Sequence, residues 1–336
     1  MARNSADSLK RKVSSLLEKE VLYVKTVLGG ANSQTYKVGT RDASYFVKIY
    51  PSNLAPVWNK FNNEHKTASI LTRIGMSCTP KIKAFCEKEL IIVFQYIDGS
   101  RPLQIHSGHI KQAISFIEES NKKIKSNSIK NLPYASESAD SIIGLYNIIR
   151  YRLINFEKSK NETQRINSLL SAISTEAENT LECLPQNNTL YLDRNLFSLS
   201  DFGFHNTILN RDKLYFIDYE YAGLDSSCKI FCDFFSQPQI PVPLENASFF
   251  LNSNLFQDLA GSPAALLSAY KLTLIKWTLI HVNDFLVDKN QSRSFAFREH
   301  SDSDINERLN LQVKKATAYF NDIDNKVSSL NKILRN

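Results

Sequence analysis

The chain is 336 residues long, 43% hydrophobic and 22% charged, with a formal net charge of +7, enough for a sizeable core and for two lobes or domains. Its basic residues are scattered rather than interleaved with aromatics, so no nucleic-acid partner is expected, and the charge reads as a surface that favours nucleotides and other anionic ligands. No apolar run reaches the roughly 18 to 20 residues of a membrane span, the polar start MARNSADSLKRK leads into no apolar signal core, and five cysteines without metal-ligand pairing exclude a disulfide framework. A cytoplasmic protein without membrane insertion is expected.

Residues Ser5 to Glu20 carry Leu9, Val13, Leu16 and Leu17 at helical spacing, an amphipathic helix that packs on the first lobe or, alternatively, lies on a membrane surface. Strand patterns follow at Val21–Val24, Val27–Leu28, Thr35–Val38 and Tyr45–Tyr50. The first strands are joined by the small-residue stretch Gly29-Gly30-Ala31-Asn32-Ser33, which fits neither the Walker nor the dinucleotide glycine pattern. It reads either as a plain hairpin turn or as a turn whose N–H groups approach a nucleotide phosphate. Lys48 stands inside an apolar strand, where a charge is costly without a partner. Glu64 lies on the inward face of a helix predicted over Ala55–Ile74, with Phe61, Ala68 and Leu71, and an ion pair between the two is expected; a lysine snorkelling from a strand edge is the competing reading. Two further strands, Lys81–Phe85 and Glu89–Tyr96, end at the compositional break Ile97-Asp98-Gly99-Ser100-Arg101-Pro102. The lobe boundary is placed there, giving lobes of residues 1–97 and 98–336, with a nucleotide base expected against the backbone of Gln95 to Ile97.

Beyond Pro102 the spacing predicts helices over Ile110–Lys125, Ala139–Glu157 and Glu162–Leu184. Then comes Ser200–Gly223, SDFGFHNTILNRDKLYFIDYEYAG. Here Asp201 precedes Asn206 by five residues, and the runs Thr207–Leu209 and Leu214–Ile217 flank the turn-forming Asn210-Arg211-Asp212. The resulting hairpin puts Asn206 and Asp218 at the same end. Phosphoryl transfer requires accurate placement of an acceptor hydroxyl and neutralisation of triphosphate charge through magnesium. Asp201 is suited to orient the hydroxyl, and Asn206 and Asp218 to offer hard oxygen ligands to the metal. Downstream, Asp225–Gln237 and Phe249–Val287 read as helices, Gln291–Asp304 as a polar loop, and Asn306–Leu334 as one or two amphipathic helices.

From the Gly29-Gly30 turn through Asp233, and most specifically in SDFGFHNTIL and LYFIDYEYAG, the sequence resembles the aminoglycoside phosphotransferase and choline kinase superfamily, the small-molecule branch of the protein-kinase-like fold. The resemblance implies an α+β, two-lobed architecture: an antiparallel sheet with a helix against it, then a mostly helical second lobe. It implies Lys48 as the nucleotide-phosphate lysine, Glu64 as its helix partner, Asp201 as the catalytic aspartate, and Asn206 and Asp218 as magnesium ligands; Gly29, Gly30, Asn32, Ser33, Gln95 and Ile97 are the further candidates around the nucleotide. Asp233 is similar to an aspartate that supports the catalytic loop. The family carries His-Gly or a close variant immediately before the catalytic aspartate; this sequence has Leu199-Ser200.

The leading expectation is an ATP- and magnesium-dependent kinase acting on a hydroxyl of a small metabolite, whether a sugar, an amino alcohol or an aminoglycoside. The competing one, motivated by Leu199-Ser200, is a pseudokinase or nucleotide-sensing scaffold. The absence of an activation segment after Asp218 counts against a protein kinase. An amino-alcohol cation would need aromatic faces and a carboxylate, which Glu220, Tyr221, Trp277 and Phe285 could contribute.

Overall fold

Five strand-forming runs within the first hundred residues pair in the antiparallel order β1-β2-β3-β5-β4: β1 (Tyr23–Val27), β2 (Gln34–Gly39), β3 (Ser44–Ile49), β4 (Ile82–Cys86) and β5 (Ile91–Gln95). The computed structural model describes residues 2–27, 33–51, 60–127, 131–159, 163–184, 192–287, 289–290 and 302–335. These divide into two compact units. The first holds the described residues of Met1–Arg101 together with Thr207–Tyr221; the second holds those of Pro102–Asn206, Ala222–Asn290 and Ser301–Asn336.

In the first unit, side chains alternate across the sheet as strand geometry requires. Val38, Tyr45, Val47, Ile91 and Val93 form one buried face, covered by Leu9 and Val13 of helix α1 (Ala2–Leu17). The apolar stripe of α1 is therefore consumed by the sheet, which removes the membrane-surface reading of that helix. Lys48 and Ile92, paired across β3 and β5, point to the other face, toward α2 (Lys60–Arg73), whose buried residues include Phe61, Glu64, Ala68 and Leu71.

A hairpin of β7 (Thr207–Asn210) and β8 (Lys213–Phe216), closed by Arg211 at φ 52°, completes this unit. Backbone bonds fasten it on both edges: Leu209 and Ser100 exchange N–H···O bonds of 2.7 and 3.3 Å, and the Phe216 N–H donates to Cys78 O at 2.9 Å. Gly99 lies directly under the first of these joints. A Cβ there would sit 2.3 Å from the Leu209 carbonyl oxygen, so Gly99→Ala must displace the hairpin and is expected to cost about 1–3 kcal/mol, measurable as a lowered urea midpoint.

The second unit is helical, with α3 (Ser107–Ser126), α4 (Ile142–Lys158), α5 (Asn167–Glu182), α6 (Ser227–Ser236), α7 (Ala247–Leu251), α8 (Pro263–His281), α9 (Asp302–Asn321) and α10 (Ile323–Arg335). Helix α8 has apolar residues on every side and packs against α4, α5, α6, α9 and α10, as a largely buried helix should. The single helical run expected over Phe249–Val287 is broken. Helix α7 ends at Leu251, turns occupy Asn252–Ser262, and Pro263 opens α8, a position where its missing N–H is no loss. The polar loop expected to Asp304 already gives way to α9 at Asp302.

Two strands lack any clear sequence signal. β6 (Leu196–Ser198) and β9 (Gly223–Asp225) form a two-stranded ladder of three residues each. A side-chain clamp supports β6 from α3: Asn121 accepts from the Phe197 N–H at 2.7 Å and donates to the Phe197 carbonyl at 3.0 Å.

Candidate active site

The site residues of the first unit gather around Lys48. Because β3 is the middle strand of five, Lys48 cannot reach solvent from an edge, and it is 6% exposed. A buried ammonium must be paired. Its Nζ lies 2.6 Å from Glu64 Oε2 and 2.8 Å from Asp218 Oδ1. Burial works against the Lys48 charge, but the carboxylates of Asp218, Glu64 and Glu220 outweigh it and raise its pKa. For Glu64 the balance goes the other way: burial pushes its carboxyl up to about 7, with Lys48 pulling it down and Asp218 and Glu220 pushing it further up. The Tyr50 hydroxyl donates to Glu64 Oε2 as well, so the carboxyl is fixed by two donors.

The segment after β8 is shaped by its backbone. Asp218 adopts φ 68°, a conformation uncommon for any residue but glycine, and its side chain is 36% exposed. Asn63 of α2 donates to the carbonyls of Tyr219 (3.2 Å) and Glu220 (3.1 Å), tying this segment to the helix that carries Glu64. Carboxylate oxygens of Glu64, Asp218 and Glu220 come within 4.8 Å of one another. Such hard oxygens are the donor chemistry of a magnesium-type cation, and the partly exposed Asp218 is the member of the group open to one.

In the second unit the candidate residues lie in the loop after β6. Leu199 is buried, Ser200 takes φ 65°, and the Asp201 N–H donates to Leu199 O at 2.9 Å. A single 3₁₀ turn over Phe204–Asn206 then brings side chains back onto Asp201. Asn206 Nδ2 donates to the Asp201 carbonyl at 2.9 Å and to Asp201 Oδ2 at 3.2 Å. His205 Nε2 is 3.0 Å from Asp201 Oδ1. Burial raises the Asp201 pKa, and the interaction with His205 together with the Asn206 hydrogen bond more than offsets it, so the carboxyl lies below its ordinary value. Its side chain remains 34% exposed.

Beneath this loop, α6 carries a charge network whose members are all buried. Lys229 Nζ is 2.9 Å from both Asp225 and Asp233, and Lys276 and the Trp277 indole N–H reach Asp233 from α8 at 2.5 and 3.1 Å. Lys229 also contacts Ser200 Oγ at 3.4 Å, and that hydroxyl donates to Ser136 O at 3.0 Å. Asp233 is thus connected to Ser200 of the loop through Lys229.

The remaining sequence candidates divide as follows. Ser33 is buried beside β2, whereas Gly29, Gly30 and Asn32 lie outside the described residues. Ile97 is buried and Gln95 exposed; the N–H groups of Gln95 and Tyr96 already donate to Lys81 and Ser44 carbonyls. Two aromatic candidates for a cation site are core instead: Phe285 is buried, and Trp277 directs its indole N–H to Asp233. Glu220 is buried and paired with Lys60 at 3.4 Å.

Sequence reasoning missed Tyr50, Asn63, His205 and Lys229. Only Lys229 left a readable signal: a lysine on an aromatic helix with aspartates four residues to either side. The roles of the others depend on turns and register that periodicity does not encode.

No protein-family model and no curated protein sequence matches the chain. Solved structures do. The chain is similar to a choline kinase from Cryptosporidium parvum Iowa II (16% identity, covering 94% of each chain, TM-score 0.55). It is similar to the ADP-bound aminoglycoside phosphotransferase APH(2'')-Ib (14% identity, 93% of this chain and 98% of that one, TM-score 0.55), and to a Plasmodium vivax ethanolamine kinase (16% identity, 88% and 82%, TM-score 0.52). At these identities the likeness establishes the fold. The α+β fold expected from the sequence, that of the choline kinases and aminoglycoside phosphotransferases, is the one the chain adopts.

Proposed function

We propose that the chain is an ATP- and magnesium-dependent phosphotransferase that phosphorylates a hydroxyl group of a small metabolite. The observation that carries this reading is Lys48, buried in the middle strand and held by Glu64 at 2.6 Å and Asp218 at 2.8 Å, in a fold shared with small-molecule kinases. A buried ammonium so restrained is a rigid point charge for phosphate oxygens.

Transfer of a phosphoryl group rests on positioning and on charge neutralisation more than on covalent help from the protein. Lys48 would hold the phosphates of ATP. Asp218, with the amide oxygen of Asn206, would ligate magnesium, which supplies the neutralisation of triphosphate charge when bound. Asp201 would orient the acceptor hydroxyl and take its proton as the new P–O bond forms and the bond from the γ-phosphorus to the bridging oxygen breaks, releasing ADP. Asn206 serves Asp201 too, since its amide nitrogen fixes one carboxylate oxygen.

The acceptor class is tested by an ATP-consumption screen with the purified chain, MgATP and panels of sugars, amino alcohols and aminoglycosides. One class should raise ADP release at least about tenfold above the acceptor-free rate. Nucleotide-dependent thermal stabilisation with no phosphorylated product from any panel would instead support a nucleotide-sensing scaffold. The placement of Trp277 and Phe285 in the core takes away two aromatic faces that an amino-alcohol cation could have used.

A further inference from the structure

His205 occupies an unusual position for a histidine. It is 4% exposed, its Nε2 is 3.0 Å from Asp201 Oδ1, and its Nδ1 is buried without a hydrogen-bond partner among the described residues. A ring nitrogen buried without an acceptor is best left unprotonated. The proton therefore sits on Nε2, and the imidazole is a donor aimed at the carboxylate of Asp201.

The surroundings hold the ring in that pose. Gly203 lies against it: a Cβ there would be 2.8 Å from His205 Nδ1 and 2.9 Å from Gln237 Cγ, so the ring fits only because residue 203 has no side chain. On either side Phe202 and Phe204 are anchored on Phe234, each with ring centroids 5.3 Å from it, and Phe202 also stacks on Phe116 at 6.1 Å. The 3₁₀ turn over Phe204–Asn206 is thus fixed by its neighbours, and with it the direction from which Nε2 approaches Asp201.

We propose that His205 is the positioning residue of Asp201: its Nε2–H fixes one carboxylate oxygen while Asn206 fixes the other, so that the carboxylate is presented to an acceptor hydroxyl in a single orientation. The inference rests on the phosphotransferase reading of Asp201. Nothing in it requires His205 to touch substrate. The loop has no histidine before the aspartate, where Leu199-Ser200 stands, and His205 supplies an imidazole donor from four residues beyond it.

Two substitutions separate positioning from packing. His205→Phe keeps a ring of similar volume and removes the donor; His205→Gln restores an N–H at similar reach. With the acceptor found in the screen, or with water as acceptor in the basal MgATP hydrolysis assay, His205→Phe should lower kcat about 10- to 100-fold, the effect of a misplaced reacting group, with KM for ATP changed less than about threefold. His205→Gln should recover to within about fivefold of the parent. Gly203→Ala, which displaces the ring, should resemble His205→Phe. Equal losses in the Phe and Gln variants, or full kcat in His205→Phe, would overturn the proposal. Asp201→Ala in the same assay keeps the two readings apart, because activity surviving that change sinks the role of Asp201 itself. A nitrogen-15 imidazole spectrum of the intact chain needs no turnover. It should show the His205 proton on Nε2, with a resonance that shifts in Asp201→Ala; a proton on Nδ1, or no response to Asp201→Ala, overturns the proposal.

Discussion

Asp201→Ala should lower phosphotransfer by roughly 10²–10⁴-fold, the range for loss of a positioned general base, and leave nucleotide binding intact. The expectation follows from the division of labour. Asp201 belongs to the second compact unit, where its partners are His205 and Asn206, whereas Lys48, the proposed phosphate lysine, belongs to the first, with Glu64 and Asp218 as partners. Removing the Asp201 carboxylate touches none of the groups that hold Lys48. Thermal stabilisation by MgADP should therefore match that of the parent while kcat falls. A variant that lost both together would show that Asp201 acts in binding, and one that kept kcat would remove it from the reaction.

The largest stability effect is expected from Asp233→Ala. Asp233 stands between two buried ammonium groups, Lys229 at 2.9 Å and Lys276 at 2.5 Å. Deleting it leaves Lys276 without that partner and Lys229 with one carboxylate, Asp225, beside the Ser200 hydroxyl, an uncompensated buried charge of the kind that costs about 3–5 kcal/mol. The urea midpoint reports this directly, and a loss below about 1 kcal/mol would show that the network relaxes or hydrates. The pH dependence has a definite sign. Burial opposes ionisation of Asp233, but Lys229 and Lys276 outweigh it and hold its pKa at about 2, below the unfolded value of roughly 3.9. A carboxyl depressed on folding contributes stability that is present above the unfolded pKa and is lost as pH falls through the folded one. The contribution of Asp233 should thus decline between about pH 4 and pH 2, and the slope should be shallower in Asp233→Ala. Asp225 works in the opposite direction, since burial raises its pKa despite Lys229.

What could be read in the sequence was whatever broke a local pattern. Lys48 interrupts an apolar strand and Glu64 an apolar helix face, and each misfit asks for the other. The β7–β8 hairpin announces itself through Asn210-Arg211-Asp212 between two strand-forming runs. β6 and β9 gave no such notice, because three residues are too few for an alternation to show, and β6 leans on Asn121, which is 76 residues distant from Phe197 in the chain. His205 was hidden for another reason. One residue before a candidate cation ligand, it reads as a neighbour of the motif; only the 3₁₀ turn reverses the chain enough for its ring to meet Asp201. Trp277 and Phe285 show the converse error, where aromatic chemistry suggested a ligand face and tertiary packing placed both rings in the core.

The two hydrogen bonds from Asn63 to the carbonyls of Tyr219 and Glu220 make helix α2 and the residues around Asp218 one mechanical piece. Glu64, one position along the same helix, travels with Asn63. Any rotation of α2 that drew Glu64 away from Lys48 would pull on the backbone next to Asp218 in the same stroke, so the lysine would lose both of its carboxylates together. A displacement of α2 would thus act on Glu64 and on the backbone beside Asp218 alike.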